Sequence, residues 1–182
     1  SNGKGGAVMK TVHLTAPVSK ADVTGLEVGD RVYLSGTILT ARDAAHKRLC
    51  DTLAKGEQMP VNLQGATIYY VGPCRKDGKV ISAGPTTSMR MDKFAPTLYG
   101  EGVVATIGKG DRSKQVYDAI AKNGAVYFAA IGGAGALCAK TIKSSTTLCY
   151  EDLGTEAICA FEVVDFPCIV AIDSKGNSIY KK

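Results

Sequence analysis

At 182 residues, with 45% hydrophobic and 21% charged side chains, the chain is long enough for one domain with its own core and has an ordinary soluble composition. Its longest stretch free of charged or strongly polar side chains, Gly124 to Ala139, is shorter than the ~20 residues a membrane helix needs and contains four glycines. The net charge of +5 is a property of the tails: Lys4, Lys10, Lys181 and Lys182 lie there, and without these four the body carries about +1. No basic stripe with interleaved aromatics occurs and tryptophan is absent, so neither nucleic acid nor a membrane is expected as a partner. Residues 1–9 read as a tag or disordered N-terminus without the apolar segment of a secretory signal, and residues 10–182 as one domain. Six cysteines are present, none in C-x-x-C spacing; they are expected as reduced, mostly buried thiols of a cytoplasmic protein.

In chain order, Thr11 to Thr15 alternates weakly and predicts an edge strand. Ser19 to Asp30 is polar, with turns at Gly25 and Gly29. Arg31 to Leu39 predicts a strand broken at Gly36. Thr40 and Asp43 have capping-box spacing, and Ala45, Leu49 and Leu53 share a face, which predicts a helix from Ala41 to Lys55. Strands are expected at Ala66–Val71, Val80–Ala83, Val103–Ile107 and Ala125–Ile131, the last apolar enough to be buried on both faces. Between the last two lies a helix, Ser113 to Lys122, with Val116, Tyr117 and Ile120 inward. Gly132 to Gly135 leads into a helix through Leu137 and Ile142. Two strands, Ala157–Val164 and Cys168–Ile172, meet at Phe166-Pro167, and a turn at 174–177 follows. Strand and helix alternate in the second half, which predicts an α/β domain with a mixed sheet.

Chemistry is expected where strands end, because ligands gather there in open α/β sheets. The stretch Gly84 to Asp92 follows a strand with two breakers, three hydroxyl residues and an arginine between methionines. The residues allow two readings: a helix whose hydroxyls cap it, or a small-anion site built from free N–H groups, hydroxyls and Arg90. Arg42 sharpens the choice. In the first turn of a helix it opposes the helix dipole at roughly 0.3–1 kcal/mol, unless an anion shares that end. Arg90 repeats the anomaly after Thr87 and Ser88, and Lys109 between two glycines adds a third cation. Two arginine forks suit two carboxylates. Each cation has a bland alternative as a solvated surface charge. Asp43 reads as a cap partner and orienting group, and His46 as either a second-layer residue or a buried structural histidine. Gly132-Gly133-Ala134-Gly135 is an incomplete dinucleotide loop and a weak signal.

Several blocks, in order, resemble one family. They are Thr40 to Arg48, Tyr70-Val71-Gly72-Pro73, Gly84 to Asp92, Gly108-Lys109-Gly110, Ile131-Gly132-Gly133 and Glu162 to Pro167. Together they are similar to the C-terminal domain of the class I fumarase and tartrate dehydratase family, a separate β subunit in many organisms. The resemblance runs from about Met9 to Tyr180. It implies a swivelling β/β/α domain and a reversible hydro-lyase reaction, fumarate to (S)-malate or tartrate to oxaloacetate. It implies a [4Fe-4S] cluster on a partner α subunit, with one open iron as Lewis acid, and a hetero-oligomer; no metal ligand is expected on this chain. By the same resemblance Arg42, Arg90 and Lys109 bind carboxylates, Thr86, Thr87, Ser88 and Met89 line the pocket, and Thr86 transfers the proton. Asp43 and His46 stand behind them. The alternatives are a tartrate dehydratase subunit, a non-catalytic dicarboxylate-binding module and, least supported, a nucleotide-binding protein.

Overall fold

The β-branched and aromatic runs assemble into one mixed seven-stranded sheet in a computed structural model of the chain, which describes residues 9–131 and 135–181. The predicted N-terminal tag, apart from Met9, and Gly132, Gly133 and Ala134 of the glycine run lie outside the described residues. The order is β1 (Thr11–Ala16), α1 (Lys20–Thr24), β2 (Arg31–Thr40), α2 (Asp43–Ala54), β3 (Thr67–Tyr69), β4 (Cys74–Lys76), β5 (Lys79–Ser82), α3 (Ala95–Gly100), β6 (Ala105–Gly108), α4 (Lys114–Asn123), β7 (Val126–Ala130), α5 (Gly135–Lys140), β8 (Ile142–Cys149) and β9 (Ile158–Ile172). Among the described residues no helix is long and apolar enough to cross a membrane.

The sheet runs β1-β2-β3-β6-β7-β9-β8. Neighbours from β1 to β7 are parallel, and β9 is antiparallel to both β7 and β8. Because β9 also pairs antiparallel with β2, from Arg31↔Ile169 to Leu39↔Ala160, the sheet closes on itself. Strand side chains alternate between the faces. Tyr69, Val71, Val126 and Phe128 join Leu34, Ile38, Phe161 and Phe166 in one apolar cluster. Ile68, Tyr70 and Tyr127 point the other way, into a second cluster with Ala45 and Leu49 of α2, Leu98 and Tyr99 of α3, and Val116 and Ile120 of α4. Covered on both faces, these strands are the near-continuous apolar runs that parallel sheets require.

Four sequence expectations need correction. Ser19 to Asp30 contains a short helix rather than turns alone, because Ser19 and Asp22 form a reciprocal capping box. Val80–Ala83 does not enter the main sheet; β5 pairs only with β4 in a separate hairpin, and Ile81 is exposed. The helix beginning near Gly135 ends at Lys140, and Ile142 already belongs to β8, a polar edge strand. The last two predicted strands are one, β9, continuous through Pro167. There the chain bulges: between Leu34 and Gly36 the partner strand steps from Phe166 to Val163, and Asp165 takes a left-handed φ of 53°. All six cysteines are free, with Cys138, Cys159 and Cys168 buried, Cys50 and Cys149 partly so, and Cys74 exposed.

A fifth expectation, a break at Gly36, is also not met, since β2 runs unbroken from Arg31 to Thr40, but the glycine there is constrained. Its φ is +108°, and an added Cβ would lie 2.3 Å from the Ala16 carbonyl oxygen of β1. Gly36→Ala is expected to cost roughly 1–3 kcal/mol. The measurement is a urea titration: the midpoint should fall at unchanged slope, and a wild-type midpoint would refute the constraint.

Candidate functional site

β2 ends at Thr40, and the chain takes two residues to turn into α2. The Thr40 hydroxyl donates to the Ala157 carbonyl (3.4 Å) and accepts from the Cys159 N–H (3.0 Å), so it anchors β2 to β9. The expected capping box with Asp43 therefore does not form. The N-cap residue is Arg42, which makes no side-chain cap bond. Capping comes from elsewhere: Glu156 Oε1 accepts the Ala44 N–H at 3.0 Å. Asp43 and Glu156 place two carboxylates at the positive end of the helix, where they are favoured. Arg42 lies 3.5 Å from Asp43 and 3.7 Å from Glu156 through Nε, too far for hydrogen bonds, and this buried Nε has no partner. The guanidinium packs over Gly72, where an added Cβ would come within 2.9 Å of both Cδ and Nη1.

The Gly84–Asp92 stretch lies along the ends of β3 and β6. The Thr86 N–H donates to the Tyr70 carbonyl (2.7 Å), and the Ser88 N–H to the Lys109 carbonyl (2.9 Å). Thr87 and Lys109 form an isolated parallel bridge. Ser88 to Met91 is a single 3-10 turn, and Thr87 before it makes no side-chain cap bond. The hydroxyl-cap reading of this stretch thus fails. Arg90 leaves the turn and grips Asp43 with its fork, Nε to Oδ2 at 2.9 Å and Nη2 to Oδ1 at 2.7 Å. Burial works to raise the Asp43 carboxyl, but the Arg90 bonds and the charges of Arg90 and Arg42 outweigh it and hold it below the usual carboxylate range.

The structure thus brings Arg42, Asp43, Thr86, Thr87, Arg90 and Lys109 to one face. Thr86 is half-buried; Thr87, Met89, Arg90 and Lys109 are exposed. Ser88 is buried, its hydroxyl turned inward to Tyr127 Oη at 2.7 Å. His46 is fully buried one turn after Arg42, with Nδ1 2.8 Å from the Arg42 carbonyl and the ring edge-on to Tyr70. Sequence reasoning missed Arg112, Asp92, Tyr70, Tyr127 and Glu156, which sit beneath or beside this face. Arg112 has no exposed side-chain surface and bonds Asp92 at 2.7 Å. A buried arginine in a Gly-Asp-Arg loop carries no signal that separates it from a solvated one. As for metals, no three His, Cys, Asp or Glu side chains group together among the described residues.

Burial pushes the His46 imidazole down to about 4, against a smaller opposing pull from the Arg42 carbonyl. In the unfolded chain it titrates near 6.5, so between those values the unfolded chain binds the extra proton. Stability is therefore complete above about pH 6.5 and is lost as pH falls through about 4; the gap corresponds to roughly 3 kcal/mol. Urea midpoints of the wild type should decline across this window, and those of His46→Gln should decline less. Equal slopes would show that His46 is not the group responsible.

Comparison with known proteins shows the family. A family model described as the fumarase C-terminus matches residues 2–182. Fumarate hydratase 2 of Leishmania major is 40% identical over 94% of this chain, which spans 31% of that protein. The aerobic class I fumarate hydratase of Escherichia coli strain K12 is 38% identical over 99% of this chain and 34% of its own length. The chain thus spans about a third of these enzymes. A Methanocaldococcus jannaschii protein provisionally named L(+)-tartrate dehydratase subunit beta is 41% identical over 91% of this chain and 89% of its own length. With a family model covering nearly every residue and a relative of matching length, the chain belongs to the fumarase C-terminal family.

Proposed function

We propose that this chain is the β subunit of an iron–sulfur hydro-lyase that reversibly hydrates fumarate to (S)-malate in the cytoplasm. In this reading residues 10–182 form a swivelling β/β/α domain. The observation that carries the reading is the convergence of Arg42, Arg90 and Lys109 on one face, with a buried Arg42 Nε left without a hydrogen-bond partner. Asp43 takes only one edge of the Arg90 fork, so a dicarboxylate would meet the remaining guanidinium donors and the Lys109 ammonium. The [4Fe-4S] cluster belongs in this reading to a partner α subunit, as the family resemblance implies.

What the chain's own residues do follows from the charge that moves. In the dehydrating direction a proton leaves the carbon next to a carboxylate, and negative charge builds on that carboxylate. Arg90, held in orientation by Asp43, and Lys109 stabilise that charge as a preorganised anion site. Arg42 binds the other carboxylate. Thr86 moves the proton. A threonine hydroxyl acts as a base only where nearby cations lower its pKa, and the Thr87–Lys109 bridge brings such a cation to the neighbouring residue. A second reading, dehydration of L(+)-tartrate to oxaloacetate, is favoured by one observation: the length-matched relative carries that name.

The test is reconstitution. This chain and the cluster-bearing partner, mixed under anaerobic conditions, should hydrate fumarate, while neither does so alone; full activity of one subunit alone would refute the division of labour. Parallel kinetics on fumarate, malate and both tartrate enantiomers decide between the two substrates. Arg90→Ala should cost roughly 2–5 kcal/mol in kcat/KM if it meets a desolvated carboxylate. A wild-type rate would remove Arg90 from the site.

A further inference from the structure

Behind the exposed cations lies a second, buried one. The Arg112 side chain has no solvent exposure and Asp92 only 8%, unlike the other carboxylate–cation pairs among the described residues, which are all more exposed. Arg112 Nε donates to Asp92 Oδ1 at 2.7 Å and Nη2 to Tyr70 Oη at 3.1 Å. Its guanidinium sits between two rings, 5.1 Å from the Tyr70 centroid and 4.7 Å from that of Tyr127. The other Asp92 oxygen accepts the Ser113 N–H at 2.5 Å. Tyr127 Oη in turn donates to the Gly110 carbonyl and bonds Ser88 Oγ, each at 2.7 Å. Two loops are thereby tied at both ends. One carries Thr86 to Arg90 and ends at Asp92; the other carries Lys109 and ends at Arg112 and Ser113.

A buried ion pair is a poor device for stability, because desolvation of the two charges offsets their attraction and apolar packing usually does as well. What a planar fork between two acceptors gives that an apolar pair does not is a fixed direction. We infer that the Arg112–Asp92 pair, braced by Tyr70 and Tyr127, is a positioning unit that sets Lys109 against the Thr86–Arg90 loop at the distance a dicarboxylate requires. The inference rests on the proposed reading of that face as the substrate site. Arg112 touches no substrate; it acts through the two loops.

The test uses Arg112→Lys in the full chain, which keeps the charge but lacks the planar fork that holds Asp92 and Tyr70 in fixed directions, with Tyr70→Phe as the milder variant should the first not fold. Assayed with the partner subunit, the variant should show KM for fumarate and malate raised on the order of tenfold, with kcat also reduced, as expected when reacting groups are displaced. A purely structural role would lower the melting temperature and the active fraction and leave KM alone. A wild-type KM in the folded variant overturns the inference whatever its melting temperature. Hydrogen exchange on the chain by itself gives a readout independent of activity. Amides of residues 86–90 and 109–113 should exchange faster together while those of β7 and β9 keep their protection; unchanged loop exchange also overturns it. If the wild-type pair hydrates no dicarboxylate and dehydrates no tartrate, the functional reading fails, and the exchange result alone decides whether the pair fixes the loops.

Discussion

The fifteen-residue strand β9 pairs with β2, β7 and β8, and the closure it produces decides where each site residue sits. Parallel strands β2, β3 and β6 end on the same side by construction. The segment that leads into β9 is brought to that side too, because β9 runs antiparallel to β2 and starts where β2 ends. Glu156 consequently reaches the first turn of α2, and Ala157 and Cys159 hold Thr40. A helix end that would otherwise need its own capping side chain is satisfied from the 3-10 segment before β9, more than a hundred residues away. That frees Asp43 for Arg90 and leaves Arg42 at the helix start with donor capacity in hand.

The charges of the site fall into two layers with different roles. Arg90 is half exposed, and an ion pair so placed contributes under about 1 kcal/mol to stability. The Asp43 fork is thus better understood as orientation, through the bonds to Nε and Nη2. Beneath it, Arg112 is buried. Burial alone would lower its pKa; Tyr70, Tyr99 and the Asp92 carboxylate raise it, and the balance keeps the guanidinium charged. The outer layer is open to solvent. The inner layer cannot move without exposing a charge to an apolar core.

Much of this was legible in the sequence. The strands built from Val, Ile, Tyr and Phe were found because burial on both faces demands apolar runs there, and α4 because Val116, Tyr117 and Ile120 repeat at helical spacing and Gly124 ends it in a left-handed conformation. β8 was not, since a Ser/Thr-rich edge strand buries little and its identity depends on β9 beside it. Nor was the continuity of β9, because Pro167 punctuates a sequence, yet here it keeps register with Tyr33 beside the bulge at Asp165. Arg42 and Arg90 stood out as cations where a helix dipole disfavours them, and both lie on the candidate site. The reason first offered was only partly right: Arg42 precedes its helix rather than opening it, and Arg90 sits in a 3-10 turn. Asp92 and Arg112 were invisible as a pair because their coupling is purely tertiary, across twenty residues.

The exposure of the outer layer is itself informative about how the face works. Two unit charges about 4 Å apart attract by about 1 kcal/mol in bulk water and about 4 kcal/mol at the effective dielectric of a protein surface. A dicarboxylate resting on Arg90 and Lys109 in open solvent therefore gains little over its own hydration. The same contacts strengthen severalfold once water is excluded, and Asp43, Thr87 and the inner Arg112–Asp92 pair already hold the donors in place at no further cost in reorganisation. Met89, a large apolar side chain 51% exposed beside Arg90, gives a covering surface something to bury. In the proposed enzyme, closing this face thus does more than supply the missing cofactor. It converts an oriented but solvated set of cations into a site strong enough to stabilise the charge that the reaction creates.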